Sequence, residues 1–183
     1  MNYIIYDLEA TCWETDMEMR RNKREVIEIG ALLLDKEGTV QSRFESFVQP
    51  VVHPILSDFC RNLTTISQEE VDQADKFPEV IHKFQEWIGL NNEEEYLLCS
   101  WGFFDKSALV KDCKLHQLDG KWAKKHISLR DQYPRIKNTG RAVGMSTALE
   151  MEGFEFEGTM HRGIDDAVNL AKIFCKFLNL WRY

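Results

Sequence analysis

The stretch Asn2-Tyr3-Ile4-Ile5-Tyr6-Asp7-Leu8-Glu9-Ala10 decides how the rest of the chain is read. It is short, apolar and rich in β-formers, which predicts a first strand ending near Glu9. Two carboxylates one residue apart on a strand project from the same face, with Cα atoms roughly 6.6 Å apart. From there both can reach one metal ion, or a pair of ions about 3.5–4 Å apart. The pattern D-x-E is weak by itself, because the chain contains two more, Asp16-Met17-Glu18 and Asp35-Lys36-Glu37. The former lies in a polar loop and the latter borders the turn at Gly38, so both read as solvated charges. Only Asp7 and Glu9 emerge from an apolar strand; the plain alternative for them is a charged strand end.

Outward from this strand, EVIEIGALLLDKEG (25–38) predicts a second strand closed by a turn at Lys36-Glu37-Gly38. The segment VQSRFESFVQP (40–50) predicts a third, with Phe44 and Phe47 as candidates for burial. Three strands in succession imply an antiparallel meander. Ser67-Gln68-Glu69-Glu70 is a capping-box pattern opening a short helix. From Phe77, the residues Val80, Ile81, Phe84, Trp87 and Ile88 recur at helical spacing. EYLLCSWG (95–102) reads as a fourth strand, followed by a helix carrying Ala108, Leu109 and Cys113. HISLRD (126–131) reads as a short fifth strand before more helix around Tyr133. A last helix starting near His161 carries Ile164, Ala167, Val168, Ala171, Phe174, Leu178 and Trp181 on one stripe. This order implies an α/β fold, a mixed sheet covered by helices.

Composition sets the outer bounds. At 183 residues and 44% hydrophobic, residues 1–183 form a single domain able to bury a substantial core. The 10 glycines and 4 prolines are spread along the chain, so no linker stands out. No apolar run reaches the roughly 18–20 residues that span a bilayer, and no membrane partner is expected. The first residues lack a basic lead-in and turn acidic at once, unlike a secretory signal. Five cysteines (Cys12, Cys60, Cys99, Cys113, Cys175) include no C-x-x-C pair. Four sit in apolar runs as small core residues, which suits a reducing, cytoplasmic location. The formal net charge of −7 argues against a processive binder of long duplexes, which grips by neutralising phosphates.

Two further acidic positions stand out. Asp105 follows the fourth strand and Gly102, where a strand hands over to a helix. It reads either as a helix N-cap or as a ligand at the carboxyl end of a strand, where α/β sites form. His161, Asp165 and Asp166 cluster at the start of the last helix. Asp165 shares a face with Asn169, Lys172 and Lys176, a solvent stripe, and reads as a charge favourable to the helix N-terminus. Asp166 lies above Leu170, Ile173 and Phe177 and is aimed towards the sheet. Spacing leaves His161 open between a structural, a surface and a catalytic role.

These motifs belong together in one resemblance. D-L-E-A-T-C (7–12), F-V-Q-P-V-V-H-P-I-L-S-D-F-C (47–60), S-W-G-x-x-D (100–105) and H-R-G-I-D-D-A (161–167) resemble the DEDDh 3′→5′ exonucleases of the DnaQ-like group. Within that group the chain is similar to the Eri-type RNA exonucleases and their bacterial KapD-like relatives. The likeness covers essentially the whole chain in the right order. It implies an RNase H-like mixed five-stranded sheet flanked by helices on both faces. It implies a catalytic set of Asp7, Glu9, Asp105, His161 and Asp166, in which Asp7, Glu9, Asp105 and Asp166 hold two divalent metal ions. The terminal nucleotide would lie against Leu8, Ala10, Thr11, Trp13 and Phe104, with Phe103 as a further stacking candidate.

The implied set also makes physical sense. Four converging carboxylates raise one another's pKa unless a cation sits among them. All-oxygen ligation with open positions suits Mg²⁺ or Mn²⁺. The implied reaction is hydrolysis of the 3′-terminal phosphodiester of single-stranded nucleic acid, RNA favoured, releasing a nucleoside 5′-monophosphate. His161 would take the proton of the attacking water, as histidine suits a general base near neutral pH. Several alternatives stay open: Thr11 as a strand-end cap, the aromatics as core, and Arg20–Arg24 as a solvated loop or a phosphate contact. A DNA-trimming enzyme of the same chemistry, or a KapD-like regulatory binding protein with little catalysis, fits the same residues. Sugar discrimination rests on one or two contacts to the 2′-OH that spacing does not reveal.

Overall fold

The computed structural model describes residues 1–90 and 95–183. Five strands form one mixed sheet in the order β3-β2-β1-β4-β5. They are β1 (Asn2–Ala10), β2 (Val26–Leu34), β3 (Val40–Phe47), β4 (Tyr96–Ser100) and β5 (His126–Ser128). The first three are an antiparallel meander, with Asp7 opposite Gly30 and Glu9 opposite Glu28. β4 and β5 join in parallel, as expected where each is reached by a helical crossover. The RNase H-like arrangement implied by the sequence is therefore present.

Among the described residues, eight α-helices flank the sheet: α1 (Asp16–Arg21), α2 (Asp58–Thr64), α3 (Gln68–Gln73), α4 (Phe77–Trp87), α5 (Phe104–Leu115), α6 (Leu129–Lys137), α7 (Met145–Glu152) and α8 (Gly163–Lys176). Strand alternation splits the core into two layers. Ile4, Tyr6 and Leu8 of β1 pack with Phe77, Val80, Ile81 and Phe84 of α4 and Leu109 and Cys113 of α5. Tyr3 and Ile5 point the other way, against Tyr133 of α6, Leu149 of α7 and Leu170, Ile173 and Phe174 of α8. Asp7 and Glu9 share the parity of Tyr3 and Ile5, so the fold aims both at α8. Each fully buried Leu, Ile or Phe of these layers contributes about 1.5–3 kcal/mol. The layers thus fix the strand register, and with it the direction of the acids.

Several local expectations are corrected. The fifth strand stops at Ser128, and Leu129–Asp131 form the first turn of α6, because Leu129 buries its side chain in the second layer. The last helix begins at Gly163 and ends at Lys176; Leu178 and Trp181 lie beyond it. Asp16-Met17-Glu18 is not loop: Thr15 and Glu18 form a reciprocal capping box that opens α1. Asp35 accepts the N–H groups of Glu37 and Thr39 and so shapes its turn. Phe44 and Phe47 are half-buried. Cys12, Cys60, Cys99 and Cys113 are buried free thiols, whereas Cys175 is exposed. Among the described residues no helix is long and apolar enough to cross a membrane.

Candidate active site

The C-terminal ends of parallel β1 and β4 lie at one edge of the sheet, and the acids collect there. Asp7 and Glu9 are half-buried on β1. Asp105 is the second residue of α5 and fully enclosed. The helix has no side-chain cap, so the N-cap alternative for Asp105 falls. Its Oδ1 instead accepts the backbone N–H of Leu8 at 3.2 Å, which ties the start of α5 to β1 between the two β1 acids. Asp166, in the first turn of α8, is also buried. Its Oδ2 accepts the N–H of His161 at 2.9 Å. The nearest ligand atoms of Glu9, His161 and Asp166 lie within 4.8 Å of one another.

The electrostatics follow from enclosure. Burial, then Asp105, Asp166, Glu9 and Glu28, hold the Asp7 carboxyl well above the usual carboxylate range. Burial, followed by Asp166, Glu28 and Asp105, pushes Glu9 up to about 8. Asp105 and Asp166 rise to about 6, again mainly through burial. For Asp105 the hydrogen bonds from its own helix start, Ser100 and Leu8 oppose the rise; for Asp166 the His161 N–H does so. Asp105 and Asp166 both raise Asp7 and Glu9, and Asp105 also raises Asp166, so the acids act on one another at short range. Such a set accommodates its charge poorly without a cation, and its donors are all hard oxygens.

His161 reaches the cluster from a left-handed backbone conformation (φ 62°), a strained state for a residue with a Cβ. Three α8 side chains hold the segment that carries it. Asn169 Oδ1 accepts the Glu157 N–H at 3.0 Å and its Nδ2 donates to the Glu157 carbonyl at 2.8 Å. Asp165 Oδ2 accepts the Thr159 N–H at 2.8 Å, and Asp166 takes the His161 N–H. Asn169 is therefore fully buried, which corrects its place on a solvent stripe. Asp165 points back at this loop rather than at the acid cluster, as the helical-face argument expects for the pair.

Two determinants escape the sequence reading. Glu28, opposite Glu9 on β2, has a fully buried side chain and accepts the Gly163 N–H at 2.9 Å. Arg162 compensates it, with Nη2 at 3.2 Å from Oε1. Gly30 lets the start of α8 lie directly on β2: a Cβ there would overlap the Gly163 carbonyl carbon and the Ile164 nitrogen. A charge and a glycine inside the otherwise apolar run VIEIGALLL were the available signals. Gly30→Ala should cost at least about 1–3 kcal/mol, as overpacking does, and more because backbone must move. Thermal melts check the loss, and activity should fall further than stability because Asp166 and His161 shift with α8.

The candidate nucleotide-contact residues divide. Leu8 and Ala10 are buried. Thr11 is buried and paired with Glu25: its N–H donates to the Glu25 carbonyl at 2.8 Å and its Oγ1 accepts the Glu25 N–H at 3.0 Å. Trp13 is half-exposed, edge-on to His53 at 4.9 Å. Phe103 and Phe104 are 54% and 43% exposed beside Asp105, which leaves them outside the core.

The profile of the family described as Exonuclease (RNase_T) matches residues 4–174. The 3′-5′ exoribonuclease 1 of Rattus norvegicus is 34% identical over 95% of this chain and 52% of that protein. The ERI1 exoribonuclease 2 of Xenopus laevis is 33% identical over 93% of this chain and 27% of its own length. The chain thus spans from about a quarter to about half of these curated relatives. A crystal structure described as the nuclease domain of 3′hExo, a DEDDh family member, bound to rAMP, superposes with a TM-score of 0.87 at 32% identity. That match covers 97% of this chain and 92% of that one. E. coli exonuclease I, at 10% identity and a TM-score of 0.77 over 98% of this chain and 41% of its own, shares the fold.

Proposed function

Because this chain belongs to the RNase_T exonuclease family, we propose that it is a metal-dependent 3′→5′ exonuclease acting on single-stranded nucleic acid, RNA favoured. One observation supports the reading: four carboxylates from β1, α5 and α8 gather with their pKa values raised, and ligand atoms of Glu9, His161 and Asp166 lie within 4.8 Å of one another. Asp7, Glu9, Asp105 and Asp166 would hold two divalent ions, Mg²⁺ or Mn²⁺. When bound, the ions supply a nucleophilic water at neutral pH and charge stabilisation for the leaving 3′-oxygen. His161, held beside Glu9 and Asp166, would accept the proton of the attacking water. The released product is a nucleoside 5′-monophosphate. Trp13, Phe103 and Phe104 offer faces on which terminal bases stack, and the backbone of Leu8, Ala10 and Thr11 lines the nucleotide's edge.

RNA is favoured because relatives near 34% identity are named exoribonucleases and one related nuclease domain was solved with rAMP. A cytoplasmic setting fits the four buried free thiols. The test is 5′-labelled single-stranded RNA and DNA of one sequence, incubated with Mg²⁺ or Mn²⁺ and with a chelator control. The expected result is a ladder shortening from the 3′ end, faster on RNA and absent with chelator. An internal cut, or no cut, overturns the proposal; faster DNA trimming moves the substrate to DNA.

A further inference from the structure

We propose that the basic groove between α1 and α5 binds the single-stranded segment immediately 5′ of the terminal nucleotide, an inference that rests on the exonuclease reading. The groove has a volume of about 840 Å³, and its lining includes Arg20, Lys23, Arg24, Lys111 and Lys114. All five are exposed, and among the described residues none lies within 4 Å of a carboxylate as an ion pair. In a chain of net charge −7, five unpaired cations along one groove are a local excess that calls for an anionic occupant. The one acidic lining residue, Asp112, is buried and turned inward, its Oδ2 accepting the Val26 N–H at 2.7 Å.

The groove's position selects the occupant. Its head is Phe104, the residue before Asp105 at the start of α5, so one end of the groove begins beside the helix turn that carries a cluster acid. The Arg24 guanidinium lies 5.3 Å from the Phe104 ring centroid, which sets a cation and an exposed ring side by side, as single-strand sites do. The Trp13 backbone N–H donates to Met19 Sδ at 3.3 Å, joining the loop after β1 to the groove wall. From Phe104 the groove follows α5 to Leu115, about 16 Å of helix, room for several phosphates. The acid cluster alone repels a polyanion. A cationic groove beginning one residue from Asp105 would supply attraction without placing a charge among the acids.

The test compares wild type with Arg20→Gln/Lys23→Gln/Lys111→Gln/Lys114→Gln, which alters only exposed side chains; a thermal melt confirms its fold. Kinetics on a dinucleotide and a 12-mer RNA are measured across a salt series, with binding of a fluorescent 12-mer in chelator alongside. Dinucleotide turnover should be unchanged. The variant's KM for the 12-mer should rise severalfold, and the slope of log affinity against log salt should flatten by about 0.7 per lost phosphate contact, close to 3 for four. Equal 12-mer binding and equal slope in the two proteins overturn the groove, even where dinucleotide cleavage stands. Weakened binding with a flattened slope supports the groove even if neither RNA is cut, a result that would overturn only the exonuclease reading. Binding of poly-glutamate at equal strength and with equal sensitivity to the substitutions would reassign the groove to acidic polypeptide and overturn it as a nucleic-acid track.

Discussion

Replacing His161 by alanine is expected to lower kcat by about 10²–10⁴-fold, the usual contribution of a positioned general base, while metal-induced stabilisation survives. The expectation rests on placement. His161 is exposed, stands outside the helix, and is presented by a loop held through Asp165, Asp166 and Asn169. Removing the ring leaves all four carboxylates where they are. The backbone complicates a single variant, because a left-handed residue at φ 62° tolerates alanine poorly. Asparagine enters that region far more readily. His161→Asn therefore separates loop geometry from proton transfer, and both variants should show a similar fall in kcat with little change in the Mn²⁺-dependent melting shift. Loss of that shift in both would make the imidazole a ligand, as its closeness to Glu9 and Asp166 permits. Normal turnover would remove it from the mechanism.

What the sequence disclosed and what it hid have physical causes. The meander and the direction of Asp7 and Glu9 were legible because strand alternation has a period of two and the flanking residues are decisively apolar. Asp166 was separable from Asp165 because the residues one turn on from it are apolar. The same argument misplaced Asn169, whose amide satisfies the backbone of Glu157, a demand that periodicity does not register. Helices α1 and α2 were missed although Thr15 and Ser57 cap them, since six or seven residues barely show a helical stripe. The contacts of Glu28 and Gly30 with Gly163 at the start of α8 join residues more than 130 positions apart in the chain. No local pattern could say what their face would meet.

Without divalent metal, the protein should lose stability as pH rises from about 5 to about 8.5, and saturating Mn²⁺ should abolish that loss. Glu9 carries the clearest part of the effect, with a pKa moved from 4.5 to about 8 in the fold, and Asp7, Asp105 and Asp166 shift in the same direction. Between the unfolded and folded values the native state binds more protons than the unfolded chain. The slope of unfolding free energy against pH is then negative. The cluster's contribution is intact below the ordinary carboxylate range and is lost as pH climbs through about 6 for Asp105 and Asp166 and about 8 for Glu9. At roughly 1.4 kcal/mol per pKa unit, the total is on the order of several kcal/mol. For a chain of this size that corresponds to about 10 °C or more in Tm. Bound cations reverse the sign locally, because they favour the ionised carboxylates and displace their protons. Melting curves across this pH range, with chelator and with Mn²⁺, should therefore diverge progressively, and calorimetry near pH 7 should register proton release on metal binding. Asp7→Asn should flatten the metal-free curve and weaken the metal response together. A metal-free Tm that stays level or rises over this range would show that the four carboxylates do not share one field, and would remove the physical basis for a two-ion site.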